Sequence, residues 1–153
     1  MSPLVTAILM LCSSGDPKVA TMVEQEAIRQ DIDPAWALVV GLMESGLKEG
    51  NTMGTGNCYG QKAARKGTAT CIRLGVESLH NRLWDAHTSL PTASQFKQCG
   101  STGNLEGCRA LLVYNGSRDK MPNGLERKVV YARTGVGLFF KVQRLVAKAK
   151  KQS

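Results

Sequence analysis

Glu44 closes an apolar run, Trp36 to Met43 (WALVVGLM). A carboxyl group carried at the end of a buried segment loses hydration, and burial penalises its charged form. Its pKa is expected to rise, letting it donate a proton near neutral pH and take it back. This is the environment that an acid of glycoside chemistry needs. The plainer alternative is a helix-end glutamate whose side chain reaches solvent. Two phenols, Tyr114 and Tyr131, and the amide of Asn115 are further groups of interest. They too have plain readings: core aromatics with a wet hydroxyl, and an Asn115-Gly116 pair that stops a helix and turns the chain.

The elements that must position these groups read as mostly helix. Asp16-Pro17 and Asp33-Pro34 each pair an N-cap acid with proline at the first helical position. Val19, Met22, Val23 and Ala27 then form one stripe at helical spacing. The segment from Trp36 to Met43 is apolar on all sides, the pattern of a helix inside a core. A strand over VVGLM is the rival, and the Asp-Pro start with its Ala and Leu favours helix. Five glycines between positions 50 and 70 predict a loop. A helix is expected over 76–87 with Val76, Leu79, Leu83 and Trp84 on one face. Residues 90–103 read as polar and irregular. Asn104 caps an expected helix over 105–114, NGSRDKMPNG breaks the chain, and a last helix runs over about 125–150. Gly135 and Gly137 are positions where that helix could kink or divide.

Cysteines stand at positions 12, 58, 71, 99 and 108. Cys58 with Cys71, and Cys99 with Cys108, each enclose a short loop, which suits two local disulfides and an oxidising compartment. Free thiols and a metal site are the alternatives. No CxxC pair exists, and His80 and His87 lie elsewhere, so no metal is expected. Cys12 is left over. It ends the apolar stretch LVTAILMLC, residues 4–12, which is too short to span a membrane. The stretch resembles a signal-peptide core, but no basic residue precedes it and no small-x-small site follows. A first helix packed on the rest of the chain is the favoured reading.

Four segments, in order, carry a family resemblance. Glu44-Ser45-Gly46-Leu47 resembles the first motif of the lytic transglycosylases (soluble lytic transglycosylase and goose-type lysozyme-like family). Asn57-Cys58-Tyr59-Gly60-Gln61 resembles their second motif, usually Gly-Leu-Met-Gln. Val113-Tyr114-Asn115-Gly116-Ser117 is similar to Ala-Tyr-Asn-Gly-Gly. ERKVVYARTGV, residues 126–136, is similar to the terminal helix motif, with Tyr131 as its tyrosine. CIRLGVESLHNRL, residues 71–83, suits the structural helix between the second and third motifs. The resemblance covers about residues 16–140.

It implies a mainly α, lysozyme-like single globular domain with Gly-rich loops over 16–153, preceded by the short apolar segment 1–15. Glu44 would be the catalytic acid and then base. Ser45, flanking it, would join Gln61, Tyr114, Asn115 and Tyr131 as the substrate-binding set. Gln61 would contact the glycan and Tyr114 would orient Glu44. Asn115 would shape the cleft, and Tyr131 would line it or brace Glu44. The second motif departs from the family pattern: Leu-Met is absent, Gln61 directly follows Gly60, and Cys58 offers a disulfide as a different role for that loop.

The implied reaction is cleavage of the β-1,4 bond between N-acetylmuramic acid and N-acetylglucosamine in peptidoglycan. Most glycoside hydrolases need two carboxylates. Here the obvious second candidate is Glu49, five residues on and in a loop; Asp85 and Asp119 are others, but they resemble no family acid. A lytic transglycosylase needs only one, because the muramic acid's own 6-hydroxyl attacks the anomeric carbon and gives a 1,6-anhydro product. A water-using lysozyme and a non-catalytic wall-binding module remain the alternatives.

A net charge of +8 draws the chain toward polyanions. Aromatic residues make up 5%, which disfavours single-strand stacking, and no nucleic-acid-binding signature appears. No nucleic-acid partner is therefore expected. The expected partners are peptidoglycan glycan strands and, weakly, anionic envelope surfaces, with the chain a monomer and without cofactor. The tail FFKVQRLVAKAKKQS is expected to complete the core with one face, an amphipathic membrane-surface helix being the alternative. The expected location is the periplasm, cell envelope or extracellular space, in wall turnover, a secretion machine, or a phage virion or lysis system.

Overall fold

A computed structural model describes residues 1–48, 57–58, 61–62 and 67–152, with backbone alone at 57, 58, 61 and 62. The described chain is mainly helical. Its elements are α1 (Pro3–Leu11), α2 (Pro17–Arg29), α3 (Pro34–Ser45), β1 (Asn57–Cys58), β2 (Gln61–Lys62), α4 (Thr68–Thr88), α5 (Ala93–Cys99), α6 (Leu105–Asn115) and α7 (Arg127–Gln152). They form two compact units, residues 1–77 with 139–153, and residues 78–138. Helices α4 and α7 each contribute one part to each unit.

The first unit is built on α1, α2 and α3, which pack on one another. Each starts where its sequence offers a cap. The Asp16 carboxylate accepts from Lys18 N at 2.8 Å, and Asp33 accepts from Ala35 N at 2.9 Å. Both satisfy an amide that the helix itself leaves open. Ser2 accepts from Val5 N at 3.1 Å and donates to Glu24 on α2 at 2.6 Å. The apolar stretch at the N-terminus is thus helix α1, with Val5, Ala7 and Ile8 buried.

Residues Ala35 to Gly41 of α3 are all buried, so the run read as VVGLM is helix and not strand. Leu38, Val39 and Val40 have no exposed surface. Each such side chain stabilises the fold by about 1.5–3 kcal/mol. Trp36 stacks on Phe139 of α7 with ring centroids 3.9 Å apart. Val142 is buried with Phe139, while Lys141, Arg144, Lys148 and Lys150 are exposed. The basic tail therefore gives one face to its unit's core.

The second unit holds α5 and α6, packed together and joined by the Cys99–Cys108 disulfide. Helix α5 lies where irregular chain was expected. Thr92 and Gln95 form a capping box, each side chain bonding the other's backbone amide. Two further expectations change. Helix α4 begins at Thr68 instead of 76, and α7 runs unbroken through Gly135 and Gly137. The loop that follows α6 closes on itself: Arg127 N donates to Asp119 O at 2.7 Å and Met121 N to Leu125 O at 2.8 Å. Among the described residues, no helix is long and apolar enough to cross a membrane.

Candidate active site

Glu44 sits in the last turn of α3, half-buried. Three features hold that turn. Gly46 adopts the left-handed conformation at φ 64°, and its amide donates to Leu42 O at 3.0 Å. This ends the helix where a side chain would be strained. Leu47 follows, also left-handed at φ 56°, which is uncommon for any residue with a Cβ. Its side chain is wholly buried, and its carbonyl accepts from Asp16 N at 2.8 Å. Core burial offsets a backbone strain of about 1–2 kcal/mol. The Cys12 thiol, a free cysteine, lies 3.6 Å from Gly46 O.

Ser45 is 6% exposed, and its hydroxyl donates to Gly41 O at 3.1 Å. It therefore braces the turn that carries Glu44.

Gln61 lies in β2, which pairs antiparallel with β1 in the register Asn57 to Lys62 and Cys58 to Gln61. The Gln61 and Cys58 side chains lie outside the described residues, as do Glu49, Tyr59 and Gly60. Cys71 is buried and disulfide-bonded.

Tyr114 and Asn115 end α6, both half-buried. Gly116 caps them at φ 64°, its amide donating to Leu112 O at 3.0 Å. The Asn115 side chain accepts from Ser117 N at 3.2 Å, so it shapes the turn after the helix. Tyr131 is half-buried on α7, between buried Val129 and Ala132. The structure thus brings Glu44 and Ser45 together in the first unit, and Tyr114 and Asn115 in the second, which also holds Tyr131.

Two groups escaped the sequence reading. Arg109 is 5% exposed. Its guanidinium donates to Ala86 O (2.9 Å), Ser89 O (3.1 Å), Ser89 Oγ (2.9 Å) and Gln95 Oε1 (3.0 Å). It borders a small cleft also lined by Arg82, Asp85 and Val113. Asp85 itself is exposed and lies 3.8 Å from Arg82. The second group surrounds Trp84. Expected on one face of α4 with Val76, Leu79 and Leu83, this indole is 60% exposed, beside a hydrogen-bonded His87–Glu106 pair. Trp84 and His87 are three apart on one helix, the spacing that puts side chains together. Among the described residues, no group of three or more His, Cys, Asp or Glu gathers to hold a metal.

Comparison with protein-family models, curated proteins and solved structures finds no match.

Proposed function

We propose that this chain is a peptidoglycan lytic transglycosylase with a lysozyme-like fold and that Glu44 is its acid and base. The observation that carries the reading is the half-buried Glu44 carboxyl at the end of the buried helix α3. The left-handed Gly46 and buried Leu47 hold its turn in place. The order of the four motifs supports the same reading.

In the proposed reaction the protonated Glu44 gives its proton to the glycosidic oxygen as the bond to the muramic acid C1 breaks. The resulting carboxylate then takes the proton of that sugar's 6-hydroxyl as its oxygen closes on C1. The products are a shortened glycan with a free hydroxyl and a 1,6-anhydro end, and Glu44 is protonated again. Ser45 acts as a positioning residue through its bond to Gly41 O. Tyr114, Asn115, Tyr131 and Gln61 contact or frame the glycan. The basic surface brings the enzyme to the anionic wall in the periplasm, the cell envelope or outside the cell.

One observation favours a second reading. The second motif lacks its Leu-Met and carries Cys58, which suits a wall-binding module that retains the fold without catalysis. Digestion of purified peptidoglycan by wild type and Glu44→Gln, read by mass spectrometry, tests both. The proposal expects anhydro-muropeptides from wild type and a loss on the order of 10²–10⁴-fold in the variant. Reducing-end products would make the protein a water-using lysozyme. Absence of soluble products from wild type would leave wall binding alone.

A further inference from the structure

We infer that Trp84, His87 and Glu106 form a carbohydrate-binding platform for N-acetylhexosamine glycan on the second unit, separate from the residues assigned to cleavage. The choice of glycan as ligand rests on the function proposed above.

The chain has two tryptophans, and they are used differently. Trp36 is 6% exposed and stacked on Phe139, whereas Trp84 is 60% exposed. A large apolar ring left in water on a helix face is informative when its surroundings are known. On α4 the positions three and four residues away are His80, Asn81, His87 and Thr88, all polar. Along α4 the indole is therefore flanked by polar side chains and not by the continuous apolar stripe of a membrane-seating helix. A single flat apolar surface ringed by donors and acceptors matches a pyranose, which offers C–H groups on one face and hydroxyls around its edge.

The polar ring is pre-set by the fold. The His87 imidazole lies with its centroid 6.4 Å from the indole and tilted by 44°. Its Nδ1 is 3.2 and 3.3 Å from the two Glu106 carboxylate oxygens. A carboxylate only accepts, so Nδ1 carries the hydrogen and donates. Among the described residues none meets the ring's other nitrogen, Nε2. Glu106 stands in the first turn of α6, where the helix dipole favours its charge. Both side chains are more than half exposed. The site thus offers one stacking face, a polar imidazole edge and carboxylate lone pairs, which together suit sugar hydroxyls and an acetamido N–H.

The test uses the full chain carrying Glu44→Gln, so that binding is read without cleavage. It is titrated with the N-acetylglucosamine tetramer while tryptophan emission is followed, and its retention on insoluble peptidoglycan is measured. The inference expects a saturable change in emission that Trp84→Ala removes. The same substitution should weaken retention roughly tenfold, and Trp84→Phe should restore most of it. Glu106→Gln, which keeps the shape but loses the charge-assisted bond to His87, should weaken retention less than Trp84→Ala. Unchanged emission at saturating tetramer would overturn the platform. So would an emission change produced by phosphatidylglycerol vesicles and not by the tetramer. The two proposals fail separately. Trp84-dependent binding without cleavage by wild type would sink the enzyme reading alone, and cleavage by wild type with neither emission nor retention depending on Trp84 would sink the platform alone.

Discussion

Helices α3 and α6 end alike and are held differently. Each is the buried helix of its unit, each carries candidate site residues in its last turn, and each stops at a glycine with φ 64°. Along α3 every residue from Ala35 to Gly41 is buried and apolar or glycine, and the exit is pinned by a wholly buried Leu47. Along α6 the buried stretch from Gly107 to Leu112 includes the cation Arg109 and a disulfide half-cystine, Cys108. Its exit is held by polar turns, Asn115 to Ser117 and Ser117 to Asp119. The first unit holds its catalytic candidate by burial, which is insensitive to direction. The second holds its helices by directed bonds to four acceptors. A directed hub fixes geometry closely and fails badly when one group is lost.

Arg109→Ala is the largest break available to that contrast. Removing the guanidinium strands the Ala86 and Ser89 carbonyls near the end of α4 and the Gln95 amide oxygen. Gln95 also serves the α5 capping box through Thr92 N, so the damage reaches a second helix. A loss of about 3 kcal/mol in urea unfolding is expected. Arg109→Lys should rescue little, because an ammonium cannot span the fork. Arg109→Met should lose less than Ala, since it fills the space and removes a buried charge. Equal losses for all three would mean that the site matters as volume alone.

Gly46→Ala and Gly116→Ala sharpen the comparison at the point where the two helices agree. Among the described residues a Cβ at Gly46 would come no nearer than 4.0 Å to a neighbour, and one at Gly116 would lie 3.4 Å from Val113 O. Neither clashes, so the cost at both is the left-handed backbone, about 1 kcal/mol. Thermal unfolding should show similar losses. Under the proposed function, the Gly46 variant alone should also slow peptidoglycan cleavage, because its turn carries Glu44. A Gly46 variant as stable as wild type would argue against that cap.

Much of this contrast was legible in the residues. Asp16-Pro17 and Asp33-Pro34 named the starts of α2 and α3, and the unbroken apolar run from Trp36 announced a core helix, because caps and periodicity act within a few residues. What escaped was a local signal inside a polar stretch, or depended on neighbours distant in sequence. Residues 90–103 look polar, yet Thr92 and Gln95 cap a helix that Cys99 anchors through its disulfide. Gly135 and Gly137 cost α7 about 1 kcal/mol each in propensity, and a helix of this length with buried Val136 and Phe139 absorbs that. Arg109 reads as a surface charge until the carbonyls near the end of α4 surround it. Trp84 reads as one of an apolar face with Val76, Leu79 and Leu83, and the structure leaves it exposed. The candidate acid was legible as a position. Its companions were legible only as an ordered set of motifs, since no local rule states how far apart two helix ends lie.

The smallest expected effect lies in the first unit, where the comparison predicts that ions matter least. Glu26 accepts from Arg29 Nε at 2.8 Å and from Gln30 Nε2 at 2.7 Å. Gln30 also donates to Arg73 O on α4 at 3.1 Å. The Arg29 hydrogen bond holds the Glu26 carboxyl below its ordinary range, against the upward push of burial, with help from Gln30 and from the charges of Arg29 and Arg73. A carboxyl lowered by folding binds fewer protons in the native state, so it stabilises above its unfolded pKa, and this is lost as pH falls through the folded one. Arg29 is 62% exposed, so solvent screening keeps the contribution small. Glu26→Gln should therefore be slightly less stable than wild type at pH 7 and equal to it once both are acidified below the folded pKa. Added salt should narrow the gap at pH 7 and leave the loss in Arg109→Ala unchanged. A gap between Glu26→Gln and wild type that persisted undiminished at pH 2 would assign it to packing, and would remove the ionic side of the contrast from the first unit.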